Sequence, residues 1–248
     1  MSYVLQSYRD GVKTIKFNRP EKKNAMCQSM YEEISNILRK DAKDDQIILT
    51  IITGVGDYFT SGNDLKSSME NGEQAMKAVK DMIDTFIEYP KLLIAVVNGK
   101  AIGIGATLPI LCDIVYATEN AEFDTPFVKM GLCVEGCSSY TYPLILGRSK
   151  ASEVLYLNHK LTATEAHRLG LVSKVIPRLE LETFINELHQ YGTLPVNSLI
   201  RNKSVVMGNL KTQLKEISSR EFDMLKECVN SEDFMDAVMT FMSRKSKL

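Results

Sequence analysis

Two apolar runs, each followed by a glycine-punctuated turn, constrain this chain more than any other feature. Ile47-Ile48-Leu49-Thr50-Ile51-Ile52-Thr53 precedes Ser61-Gly62-Asn63-Asp64-Leu65. Leu92-Leu93-Ile94-Ala95-Val96-Val97 precedes Gly99-Lys100-Ala101-Ile102-Gly103-Ile104-Gly105-Ala106. Short, continuously apolar runs read as strands buried on both faces, which belong to sheets covered by helices. Glycine then lets the backbone bend sharply and approach a ligand. A strand, a glycine turn and a helix together aim amide donors, reinforced by the helix dipole, at negative charge. Two such turns on adjacent parallel strands would bring one N–H each onto a single oxygen, the geometry of an oxyanion hole. Taken singly, each turn reads equally well as a tight strand-to-helix connection. Gly103-Ile104-Gly105 lacks a third glycine at dinucleotide spacing, and no Gly-Lys-Ser/Thr follows a strand.

The rest of the chain fits an α/β reading with a mostly parallel sheet and crossover connections. Val4 to Tyr8 and Val12 to Phe17 read as strands around an Asp10-Gly11 hairpin turn. Met26 to Lys40 is helical, with Met30, Ile34, Ile37 and Leu38 on one face. A second helix runs from Glu73 to Glu88, a short one from Gly103 to Leu111, and a strand from Ile114 to Ala117. Beyond residue 137 the pattern turns helical: Ser138 to Leu146, Lys150 to Leu157, Ala163 to Leu169, Leu181 to Tyr191, Val196 to Met207, Gln213 to Val229 and Ser231 to Met242. No internal repeat, low-complexity stretch or linker interrupts it.

With 248 residues, 44% of them hydrophobic, the chain can bury a sizeable core. A formal net charge of -1 argues against non-specific binding to nucleic acid or anionic lipid. No apolar run reaches transmembrane length, and the first residues lack a basic segment followed by an apolar one, so neither a membrane span nor a secretory leader is expected. The five cysteines form no Cys-x-x-Cys pair and are read as reduced, packed thiols. His159, His167 and His189 are scattered and suit neither a triad nor a metal site. The tripeptide Ser246-Lys247-Leu248, at a free C-terminus, is a receptor-read peroxisomal address. It predicts the peroxisomal matrix and an import receptor as partner; the alternative is an ordinary charged tail.

Several stretches carry a family likeness in order along the chain. They are Phe17-Asn18-Arg19-Pro20 with Lys23-Asn24-Ala25, Phe59-Thr60-Ser61-Gly62-Asn63-Asp64-Leu65, and Val97-Asn98-Gly99-Lys100-Ala101-Ile102-Gly103. Cys112-Asp113-Ile114, Phe123-Asp124-Thr125-Pro126, and Leu161-Thr162-Ala163-Thr164-Glu165-Ala166 with Gly170-Leu171-Val172 complete the set. The chain resembles the crotonase (enoyl-CoA hydratase/isomerase) superfamily over most of its length. The resemblance implies a ββα superhelix core, residues 1–190, and a C-terminal helical region, 191–248, that mediates packing into a homotrimer or a dimer of trimers.

It also implies that the backbone amides of Asn63 and Ile104 hold the thioester oxygen of an acyl-CoA. CoA would lie along Lys23, Ala25, Ser61, Gly62, Asn63, Asp64, Leu65 and Gly103. Lys22 and Lys23 either approach its phosphates or are solvated surface lysines. Family hydratases use two glutamates, at the positions of Thr107 and Phe127 here, and both are absent. Val134-Glu135-Gly136-Cys137-Ser138-Ser139-Tyr140 instead resembles the segment in which peroxisomal-type enoyl-CoA delta-isomerases carry their catalytic base, which makes Glu135 the candidate base. A buried carboxylate is pushed toward the pKa range that shuttles protons. Phe127, Met130, Leu132 and Val134 are expected to line an acyl pocket. The expected reaction moves a double bond from the 3 to the 2 position of an enoyl-CoA, with no metal or redox cofactor and CoA entering only as part of the substrate. Hydration or thioester hydrolysis, and non-catalytic acyl-CoA binding or scaffolding, are the competing readings.

Overall fold

Asp10 and Gly11 both have positive φ, 50° and 78°, as a two-residue turn matched to the strand twist requires. They join β1 (Val4–Arg9) to β2 (Val12–Phe17) in antiparallel register. Eight more strands follow: β3 (Leu49–Gly54), β4 (Tyr58–Thr60), β5 (Leu92–Val97), β6 (Lys100–Ile102), β7 (Ile114–Thr118), β8 (Glu122–Asp124), β9 (Leu161–Thr162) and β10 (Lys174–Ile176). The helices are α1 (Gln28–Asp41), α2 (Leu65–Glu88), α3 (Ile104–Thr107), α4 (Ser138–Leu146), α5 (Arg148–Leu157), α6 (Ala163–Arg168), α7 (Leu181–Glu187), α8 (Val196–Met207), α9 (Leu210–Cys228) and α10 (Glu232–Lys245). The structure, a computed structural model, describes residues 2–245. The tripeptide Ser246-Lys247-Leu248 lies outside the described residues.

A six-stranded sheet has the order β1-β2-β3-β5-β7-β10, parallel from β2 onward. A four-stranded sheet, β4-β6-β8-β9, stands beside it, and its first three strands are parallel. The chain therefore runs as a long strand in the first sheet, a short strand in the second, then a helix. This is the ββα unit expected from the sequence resemblance.

The main strands are apolar on both faces because helices cover both. Leu49 and Ile51 of β3, with Ile94 and Val96 of β5, face a layer holding Phe184 and Leu188. Ile52, Leu93, Ala95 and Val97 face the larger core formed with Met30, Ile34 and Leu38 of α1 and Met82 and Phe86 of α2. Leu214 and Ile217 of α9 belong to that same core. Each such side chain, fully buried, contributes roughly 1.5–3 kcal/mol of transfer free energy.

Three details differ from the sequence expectation. The glycine turns follow β4 and β6 rather than β3 and β5 directly, because a three-residue strand intervenes each time. Strands that short, like β8, β9 and β10, carry too few residues for a period-2 pattern. Helix α2 starts at Leu65, not Glu73, with a kink at Gly72 (φ 44°, ψ -115°). Its first turns, Lys66 to Gly72, are mostly polar and show no apolar stripe. The Gly103–Leu111 helix divides at Pro109 into α3 and a 3-10 turn, Leu108–Leu111.

Candidate active site

The first turn is braced by the Arg19 to Ala25 segment. The Asn24 side chain donates to the carbonyls of Val55 (2.9 Å) and Tyr58 (2.7 Å) and accepts from the Arg19 amide (2.9 Å). Thr60 Oγ1 donates to the Asn24 carbonyl and accepts from the Gly62 amide. Buried Arg19 pairs with Asp64 at 3.1 Å and donates to the Ala25 carbonyl. The motif residues that carry the family likeness are thus the scaffold of the turn.

That scaffold leaves one amide free. Met26 donates to the Gly62 carbonyl and accepts from the Asp64 amide, both at 2.8 Å. Successive amides of an extended chain point to opposite sides, so the Asn63 N–H points away from Met26. No acceptor takes it among the described residues. Gly62 makes the approach possible: its φ is +86°, and a Cβ there would stand 2.7 Å from the Ile102 carbonyl of the second turn. On that second turn the Gly103 amide is used by the Asp124 carbonyl (2.8 Å). Ile104 opens α3, so its N–H has no preceding carbonyl to bond and is likewise free among the described residues. The two turns therefore abut, each offering one unpaired amide.

Glu135 sits at the start of the turn into α4. Gly136 and Cys137 both have positive φ, 69° and 60°, and Ser138 Oγ donates to the Glu135 carbonyl at 2.7 Å. The side chain is 7% exposed and lies on the wall of an apolar cavity of about 690 Å³, open mouth included. Asn63, Leu65, Met76, Ile83 and Leu132 share that wall. Burial, then the neighbouring Glu221 carboxylate, pushes the Glu135 carboxyl up from 4.5 to about 7. Asn63 Nδ2 points at Glu135 Oε1 from 3.5 Å, the outer edge of a hydrogen bond. The hydroxyl of buried Tyr31 bonds Asn63 Oδ1 and so turns the amide's NH2 toward the carboxylate.

Other expected residues fall into place unevenly. Leu65 lines the cavity, and Asp64 caps α2. Ser61 donates its amide to the Lys23 carbonyl, and the Lys23 ammonium sits 5.4 Å from the Tyr58 ring centroid. Lys22 lies with Arg19, Asp64 and Lys66 on a separate open groove. Of the four residues expected in the acyl pocket only Leu132 lines the cavity. Phe127 is buried but does not line it, Met130 is not part of it, and Val134 lines a neighbouring depression with Tyr140. Leu132 and Glu135 face the cavity, while Cys133 and Val134 between them both face that second depression. Thr107 is fully buried, and its hydroxyl turns back to the Ile104 carbonyl.

The three histidines are engaged locally, His159 with Glu165, His167 with the Val172 carbonyl and His189 with the Ile185 carbonyl. Among the described residues no acidic, histidine or cysteine cluster has metal-site geometry, and no helix is long and apolar enough to cross a membrane. The cysteines are free. Sequence reasoning missed Tyr31 and Glu221. For Glu221 a signal existed: an acid one turn after Ile217 and two turns after Leu214 on the apolar stripe of α9.

Paired strands ending in abutting glycine turns, repeated along the chain and backed by helices, define a ββα-repeat fold of the enoyl-CoA hydratase/isomerase class. Residues 7–247 match the family model described as enoyl-CoA hydratase/isomerase. Enoyl-CoA delta isomerase 2 of Rattus norvegicus is 42% identical over 99% of this chain and 64% of its own length. The mouse protein named enoyl-CoA delta isomerase 3, peroxisomal, is 37% identical over 98% of this chain and 79% of its own. A solved enoyl-CoA hydratase/isomerase from Pseudoalteromonas atlantica T6c superposes with a TM-score of 0.93 at 31% identity, covering 98% of both chains. The chain belongs to the enoyl-CoA hydratase/isomerase family. It spans just under two thirds of the length of the rat relative.

Proposed function

We propose that the chain is an enoyl-CoA isomerase that converts 3-enoyl-CoA to 2-trans-enoyl-CoA. The observation that carries the reading is the buried carboxylate of Glu135, with no basic group or backbone amide strapped to its own oxygens among the described residues, facing an apolar cavity lined also by Asn63 of the first turn; Thr107 and Phe127 stand where the resemblance puts the hydratase acids. Glu135 takes a proton from the α-carbon of the 3-enoyl thioester. Electron density moves to the thioester oxygen, and the Asn63 and Ile104 amides stabilise that oxyanion, each by roughly 3–4 kcal/mol. Glu135, now protonated, returns the proton to the γ-carbon, and the double bond settles in conjugation. A carboxyl whose pKa lies near neutral can both take and give that proton. The apolar wall keeps water from the enolate. The scheme calls on no metal or redox cofactor.

Hydration needs one group to activate water and another to protonate carbon, and a second acid at the Thr107 or Phe127 position is missing. The names of the rat and mouse relatives support the isomerase reading. The decisive assay is incubation of purified protein with 3-enoyl-CoA. Growth of the conjugated thioester without a mass gain of 18 Da supports isomerisation. A water adduct or free CoA as first product overturns it, and tight acyl-CoA binding without turnover would favour a scaffold role.

Two further parts of the reading concern context. A homotrimer or dimer of trimers would give a partner to exposed apolar side chains such as Leu144, Tyr156, Leu157 and Met224. The Ser246-Lys247-Leu248 tripeptide and the name of the mouse relative support peroxisomal residence and recognition by the import receptor. Light scattering of the purified protein and imaging of a fusion with the tripeptide masked test them.

A further inference from the structure

Glu221 of α9 is a buried carboxylate, 7% exposed, that the scheme above does not use. Both of its oxygens reach the turn that carries the base. Oε2 accepts the Cys137 amide at 2.7 Å, and Oε1 accepts the Ser139 amide at 2.9 Å. These amides open α4, a nine-residue helix, whose dipole also favours an anion there. Glu221 and Glu135 line the same apolar cavity. We propose that Glu221 is a positioning residue for the base: it straps α9 to the turn that carries Glu135 and holds a second negative charge against it. The proposal rests on Glu135 being the base of the isomerase reading.

No close ion pair neutralises that charge among the described residues; two amides and, from a greater distance, Arg220 favour it. Helix α1 presents Tyr31 to Glu135, a neutral phenol whose pKa burial raises further. The Asn63 side chain is neutral, and Asp64 beside it is paired with Arg19. Lys80 of α2 shares the cavity wall, but Asp84 neutralises it at 2.7 Å. Cys133 and Cys137 on the base's own loop are thiols whose pKa burial pushes up to about 12. Arg220, next to Glu221, makes no close ion pair with it among the described residues and is the smallest of the influences that favour its charged form. Burial raises the Glu221 carboxyl, and the Ser139 and Cys137 donors pull it back toward the charged form. In a cavity of low polarity a charge so placed acts on Glu135 with little screening. It disfavours the Glu135 carboxylate, consistent with the raised value of that group.

A strap that only capped α4 would affect stability and nothing else. The test therefore reads Glu135 directly, by carbon-13 carboxyl NMR titration of the full-length protein, with Glu135→Gln identifying the resonance. The kcat/KM–pH profile on 3-enoyl-CoA is recorded beside it. With Glu221→Gln, which keeps the shape and removes the charge, the Glu135 midpoint is expected to fall by roughly one pH unit. The acid limb of kcat/KM should follow it downward. Glu221→Asp retains an acceptor but withdraws the charge by one methylene, and a smaller shift of the same sign is expected. An unmoved midpoint in whichever variant folds, with only the melting temperature lowered, reduces Glu221 to a helix cap and overturns the proposal. If the unmodified protein does not turn over 3-enoyl-CoA, the isomerase reading fails, while the NMR midpoint still decides what Glu221 does.

Discussion

Gly136 packs so closely on Thr107 that a Cβ at position 136 would stand 2.3 Å from Thr107 Oγ1. The backbone leading out of Glu135 thus fills the space next to the position where family hydratases keep an acid. Having the base on this loop and having an acid at 107 are sterically opposed. Gly136→Ala adds that clash to a positive φ of 69°. We expect it to destabilise the fold by about 1–3 kcal/mol and lower kcat at least tenfold, measured by urea unfolding and initial rates. Thr107→Glu should lose isomerase activity without gaining hydratase activity, because the new side chain must displace Gly136. Appearance of a 3-hydroxyacyl product would refute this.

The two turns respond differently to an added methyl. At Gly62 a Cβ meets both a positive φ and the Ile102 carbonyl at 2.7 Å, whereas at Gly103 it meets open space and only the backbone strain remains. Gly62→Ala should therefore cost more stability than Gly103→Ala, which is expected to cost about 1 kcal/mol. If the proposed reaction holds, both displace an amide assigned to the oxyanion, and both should lower kcat/KM by about 100-fold. Steady-state kinetics with thermal melts separates the two effects.

Asn63 is expected to contribute through its side chain as well as its backbone. The amide bridges Tyr31 and Glu135, so Asn63→Ala leaves the backbone donor in place but frees the carboxylate to turn. A roughly tenfold fall in kcat with little change in KM is predicted, and Tyr31→Phe should produce a smaller fall of the same kind. Unchanged kcat in both variants would show that the bridge does not orient the base.

Stability should carry the mark of Glu135. Its carboxyl titrates near 7 in the folded protein against 4.5 when unfolded, so the folded state binds the proton more tightly. Below about pH 4.5 the group costs nothing. As pH rises through 4.5 to 7 the folded state loses up to about 3 kcal/mol relative to the unfolded one. Glu135→Gln should accordingly be more stable than the unmodified protein by roughly 2–3 kcal/mol at pH 8 and by under about 1 kcal/mol at pH 5. A gap independent of pH in denaturant titrations would contradict the raised value.

Much of this was legible in the residues. The Asp10-Gly11 hairpin, the Leu92–Val97 strand and the Val196–Met207 helix appear at the expected positions, because turn chemistry and apolar period were unambiguous there. The four short strands of the second sheet were not legible. They are held by pairing with one another, a long-range property no local window contains. The Met76 to Phe86 helix reads from its apolar stripe as core or pocket wall, and Met76, Val79 and Ile83 line the cavity; the contribution of α9 was missed for a similar reason. The wall is built by α2 and α9, brought together from distant parts of the chain, whereas the acyl pocket expected around Phe127, Met130, Leu132 and Val134 was drawn from residues adjoining Glu135. The motif residues Asn24 and Arg19 were recognised as a likeness, and only the structure reveals them as the brace of the first turn.

The most direct test of the central claim is the rate of 3-enoyl-CoA conversion by Glu135→Gln compared with the unmodified protein. Glutamine keeps the shape and cannot shuttle a proton, so kcat should fall by about 1,000-fold or more, with the substrate still bound. Full activity in that variant would contradict the assignment of Glu135 as the base and with it the proposed reaction.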